Sequence, residues 1–115
     1  VDRSKEDWAW TLLIMQPDVV TPELFMTVWN DTVKKKALPL LDQVKWTSIE
    51  EGLSAQIMHI GPYTEEGTAV EKLDSLMEKE GLEKNGKHHE IYLSDPRKAA
   101  PDKLRTIIRQ PVRLK

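Results

Sequence analysis

Residues 87–95 read KHHEIYLSD, and this stretch decides the fold because it sets titratable groups inside an apolar, β-branched pattern. Side chains alternate across a strand. His89, Ile91 and Leu93 therefore share one face, which reads as core, while His88, Glu90 and Tyr92 share the other. That second face places a carboxylate beside a phenol, on a surface that is either solvated or the lining of a cavity. The surrounding elements bear on which of the two it is.

Upstream, Asn85 and Gly86 form a turn, and before it Val70, Leu73, Leu76 and Met77 recur at helical spacing against charged neighbours. Thr64 is expected to cap this helix, and Gly81 to stop it. Two short strands are expected before it, VKWTSIE at 44–50 and LSAQIMHI at 53–60, joined at Glu51 and Gly52 and ended by Gly61-Pro62. In the second, Ala55, Ile57 and His59 oppose Gln56, Met58 and Ile60. Downstream, Pro96 and Pro101 punctuate a loop, and Leu104 to Val112 alternates as a last strand. The order strand, helix, strand, strand predicts an α+β fold.

The first part of the chain adds a strand and a helix. WAWTLLIMQ at 8–16 is aromatic and apolar on both faces and is closed by Pro17, so it reads as a buried strand. Thr21-Pro22-Glu23 is a helix start: a hydroxyl cap, a proline in the first turn and an acid at the positive end of the dipole. Leu24, Phe25, Val28, Trp29 and Val33 follow at helical spacing, with Lys34 to Lys36 at the far end and Pro39 as the stop.

Composition narrows the classes. A length of 115 residues suits one domain with a modest core. The chain has no cysteine, which excludes disulfides and thiolate metal sites and suits the cytoplasm. A net charge of −2 gives no pull toward nucleic acid. No apolar run is long enough for a membrane span.

The combination of MHIGPYTEEG at 58–67, HEIYLSDP at 89–96 and PDKLRTIIRQPV at 101–112 resembles the C-terminal module of GyrI-like small-molecule-binding domains, and WAWTLLIMQPDVVTPELF resembles a stand-alone bacterial subgroup. The resemblance implies a curved antiparallel sheet with helices on its outer side and a ligand cleft on its concave side. It divides the chain into 1–52, the end of a first module and a connection, and 53–115, a complete second module. A second copy, or a further N-terminal module, would then complete the cleft. The implied function is binding of bulky hydrophobic, often cationic, small molecules, of the multidrug or toxin-protection type. The alternative is a hydrolase opening cyclopropane-bearing DNA-alkylating toxins.

In the resemblance the central acid falls on Glu90, with Tyr92 beside it. Trp8, Trp10 and Met58 are expected as apolar walls, and Glu90 and Tyr92 as the catalytic pair if the protein is an enzyme. The competing readings are structural: Glu90 as a cross-strand partner of Arg109 or Arg105, Tyr92 as an ordinary amphipathic strand residue, the tryptophans as core. His88 and Glu90 share a face and His59 could approach from another strand, but no cysteine, close acidic cluster or helical HxxxH spacing supports a metal site, so no metal and no cofactor is expected.

Overall fold

The computed structural model describes residues 9–115, and the chain divides into two compact units, one ending at Ser48 and the other running from Ile49 to Lys115. In the first unit, helix α1 spans Pro22–Lys35. Its start is the one the residues dictate: Thr21 Oγ1 accepts a hydrogen bond from Leu24 N at 3.1 Å, and Pro22 occupies the first turn. After it the chain folds back through a short 3-10 turn, Leu41–Gln43, whose Leu41 carbonyl accepts from Trp29 Nε1 at 3.0 Å.

The two strands expected in this unit do not form. Residues 9–16 carry no ladder, and their apolar side chains lie exposed, Met15 at 95%. Apolar, β-branched composition favours a strand only where a partner supplies hydrogen bonds, and among the described residues none lies alongside. Residues 44–50 are also irregular, because Trp46 packs on Phe25 of α1 with ring centroids 5.8 Å apart. Side-chain packing takes the segment that alternation assigned to a sheet.

The second unit is the sheet and its helix. Strands β1 (Ser54–Ile60), β2 (Leu82–Lys84), β3 (His89–Tyr92) and β4 (Arg105–Leu114) form one curved antiparallel sheet, with α2 (Gly67–Lys79) between β1 and β2. β4 is central. It pairs with β1 along one edge and with β3 and then β2 along the other. The gap between β2 and β3 has a cause in β4, where Pro111 offers no N–H to that edge. There Asn85 N donates to Pro111 O at 2.9 Å, Gln110 Nε2 donates to Gly86 O at 2.9 Å, and Gly86 takes a φ of 115° that favours glycine.

Helix α2 begins later than expected. Thr64 lies in a 3-10 turn, Tyr63–Glu65, and Glu66 holds the cap position without a side-chain cap bond. Pro62 directs the chain into that tighter turn first. Gly81, at φ 66°, ends the helix as expected. Ala69, Leu73 and Met77, spaced by four, bury against Ala55, Ile108 and Val112. Val70 and Leu76 flank this stripe and stay exposed. Among the described residues no helix is long and apolar enough to cross a membrane.

Candidate functional site

The register decides which side chains meet. Directly paired residues project to the same face of a sheet. Tyr92, Thr106 and His59 form one row, and Glu90, Ile108 and Ile57 the next. Ile108 belongs to the core under α2, so Glu90 and Tyr92 lie on the helix-covered face. This reverses two expectations: Glu90 and Tyr92 are not on the helix-free side where the cleft was expected, and His89, Ile91 and Leu93 are not core but lie on the face away from α2 with Met58, Ile107 and Arg109. The strand pattern gave two faces correctly but could not rank them, because the core face of β4 itself carries Thr106 and Gln110.

Glu90 and Tyr92 are brought together by geometry as well as by face. The Tyr92 hydroxyl donates to Glu90 Oε2 at 2.5 Å. Tyr63, from the turn before α2, meets the Tyr92 ring edge-on, with centroids 5.4 Å apart and planes at 68°. Glu66, only 7% exposed, contributes a second negative charge near the phenol. Partial burial, the hydrogen bond to Glu90 and the charges of Glu90 and Glu66 all push the Tyr92 pKa far above the ordinary value of 10.0. Tyr92 is therefore a donor and never a base at physiological pH. Its role is to hold one oxygen of Glu90.

The rest of the Tyr92 row is polar and buried. Thr106 is 0% exposed, and its Oγ1 has no hydrogen-bond partner among the described residues. His59, 8% exposed, donates from Nε2 to Pro62 O at 2.8 Å, which fixes the tautomer and ties β1 to the turn that carries Tyr63. Tyr63, Glu66 and Thr106 were missed by sequence reasoning. The signal that could have found Tyr63 is Gly61-Pro62, which ends β1 and turns the next residue back over the sheet.

The cross-strand reading of Glu90 fails, since Arg105 and Arg109 project from the other face. There Arg109 Nε donates to Gln56 Oε1 at 2.8 Å and Nη1 reaches Glu51 Oε2 at 3.3 Å, while Glu51 Oε1 lies 2.9 Å from His89 Nε2. Met58 sits on that uncovered face, 42% exposed, and so is not a wall for Glu90 and Tyr92. Trp8 lies outside the described residues, and Trp10 is an exposed residue of the first unit. Among the described residues no group of three side chains is arranged to hold a metal ion. A cavity of about 560 Å³ lies between β1 and α2, and neither Glu90 nor Tyr92 lines it.

Comparison with known proteins adds three results. The GyrI-like small molecule binding domain matches residues 11–113. A hydrolase from Listeria innocua is 44% identical with a TM-score of 0.74, the match covering 85% of this chain and 52% of that one. An uncharacterized conserved protein from the same organism is 46% identical with a TM-score of 0.77, covering 85% and 50%. The chain thus spans about half the length of these relatives. Comparison with curated proteins gave no match.

Proposed function

Because the chain belongs to the GyrI-like small-molecule-binding family, we propose that Glu90 and Tyr92 receive the cationic end of a bulky hydrophobic ligand, in a multidrug-binding or toxin-protection role. The observation that carries this reading is the Glu90–Tyr92 hydrogen bond on the covered face beside Tyr63. A carboxylate held by a phenol stays oriented. Two tyrosine rings beside it supply flat surface and a π-face for a cation. Glu66 adds negative potential, which disfavours anions.

Tyr92 is half open to solvent, at 51% exposure, so a second module, in another copy or in a longer chain, supplies the remaining wall.

Calorimetric titration of an aromatic monocation and its neutral isostere tests this. Glu90→Gln keeps the shape, and should weaken the cation by about tenfold or more while sparing the neutral compound, in line with the roughly 1.5–3 kcal/mol carried by charged hydrogen bonds. Equal affinities for the cation before and after substitution would overturn it.

A second reading is favoured by the solved relative described as a hydrolase: Glu90 activates water for ring opening of an alkylating cyclopropane. Turnover of such a substrate at saturation should then fall by roughly a hundred- to ten-thousand-fold in Glu90→Gln. Turnover indifferent to Glu90 removes this reading.

A further inference from the structure

His59 is buried on the face that carries Glu90 and Tyr92, yet it touches the pair only through other residues. It is in the same row as Thr106 and Tyr92, on the far side of β4. The aromatic wall of the site comes from a turn without a cap of its own: neither the 3-10 turn Tyr63–Glu65 nor the start of α2 has a side-chain cap bond. A helix start of that kind leaves its first N–H groups to other partners and holds its path less firmly. This turn nevertheless sets Tyr63 edge-on against Tyr92, with centroids 5.4 Å apart. Two bonds help fix its path. Gly61 N donates to Leu104 O at 2.8 Å, which ties the entrance to β4, and His59 Nε2 donates at 2.8 Å to the carbonyl of Pro62, the residue directly before Tyr63. The same carbonyl accepts from Glu65 N at 3.0 Å. It is therefore satisfied within the turn, and the imidazole is not needed to rescue a buried acceptor. What the second bond adds is position.

We propose that His59 is a positioning residue for the Glu90 site: through Pro62 it fixes Tyr63, Tyr63 steadies the ring of Tyr92, and Tyr92 orients Glu90. This rests on the reading of Glu90 and Tyr92 as the pair that receives the ligand, and it names what keeps the pair arranged before a ligand arrives. Tyr92 is half exposed, and a half-exposed ring rotates unless a neighbour holds it. Edge-on packing against Tyr63 supplies that hold. Groups already set in their bound geometry spare the ordering cost that binding would otherwise carry. A histidine that merely filled the core would act on stability alone, and experiment separates the two roles.

The chain has two tyrosines, Tyr63 and Tyr92, so nuclear Overhauser contacts between their rings can be read from tyrosine-labelled protein without any ligand. The wild type should show these contacts, and their absence overturns the proposal. His59→Leu fills the space without a donor and should lose them while circular dichroism shows the protein still folded. His59→Gln, whose amide nitrogen reaches the place of Nε2, should keep them. His59→Asn is too short to reach Pro62 and should behave as His59→Leu does; if neither of these two variants folds, His59 is a core residue only and the proposal is overturned. Binding should follow the same order. In calorimetric titration an aromatic monocation should bind about two- to tenfold more weakly to His59→Leu, the scale of one aromatic pair, and His59→Gln should restore it. In a Tyr63→Leu background His59→Leu should cost nothing further, because both changes break one chain of contacts. Ring contacts that persist in His59→Leu, or binding losses that add in the double variant, overturn the proposal. If instead Glu90→Gln leaves cation affinity unchanged, the ligand reading falls, while the ring contacts, measured without ligand, still decide the role of His59.

Discussion

The two faces of the sheet in the second unit use polar residues in opposite ways. On the uncovered face Gln56, Arg109, Glu51 and His89 form a chain of hydrogen bonds and ion pairs, each partner partly solvated. On the covered face Thr106, His59 and Glu66 are buried within or beside an apolar core, and Glu90 and Tyr92 sit at its margin. Water screens the first set and leaves it little energetic weight. The second set is kept where desolvation makes every charge and donor count for more. Function is therefore expected where polar groups are costly, not where they are abundant.

The largest effect should come from the apolar half of the covered face. Leu73, 4% exposed, is the centre of the α2 stripe, and Leu73→Ala should cost about 3 kcal/mol from lost burial and the cavity left behind. Urea denaturation measures it. A loss under about 1 kcal/mol would mean that α2 does not cover this face tightly, and the comparison between faces would collapse.

A smaller effect is expected across the sheet. Glu51→Gln keeps the shape but removes the charge that His89 and Arg109 share. Both pairs are roughly one-quarter exposed, so the loss should be about 1 kcal/mol or less and should shrink in high salt. A cost rivalling that of Leu73→Ala, or one insensitive to salt, would show that the uncovered face is dry in solution, as it would be under a bound partner.

The fold was legible where one local rule acted alone. Thr21-Pro22 gave the start of α1, Gly81 the end of α2, and alternation gave Leu104, Thr106 and Ile108 as one side of β4. It was not legible where two rules competed. Residues 44–50 alternate like a strand, yet Trp46 has Phe25 to pack on. β2 is three residues long and exists because β4 extends past Pro111 to offer it a partner, a long-range fact with no local trace. In the site, Glu90 and Tyr92 were legible as neighbours from their spacing of two. Their face was not, since that depends on which side α2 docks. Tyr63 and Glu66 come from a turn whose path over the sheet is set by tertiary packing.

The smallest effect is the most specific to the candidate site. The pKa of Tyr92 is raised above its ordinary value of 10.0 by partial burial first and by Glu90 next, which links stability to pH with a definite sign. Below 10.0 the phenol is protonated in both folded and unfolded chains, so the stabilisation from its retained proton is fully present. Above it the unfolded chain releases the proton while the folded one keeps it, and stability falls as pH rises, until the folded phenol also ionises. Tyr92→Phe has no such proton to release. The difference in melting temperature between wild type and Tyr92→Phe should therefore be level through neutral pH and shift against the wild type once the pH passes 10.0. Groups that do not touch Tyr92 are common to both proteins and cancel in that difference. Repeating the pair in a Glu90→Gln background should reduce the alkaline change, because the carboxylate that disfavours the phenolate is gone, while the larger contribution, from burial, remains. If the difference stayed level across the whole range, Tyr92 would not be held by Glu90 in solution. The covered face would then lose a polar contact that distinguishes it from ordinary core.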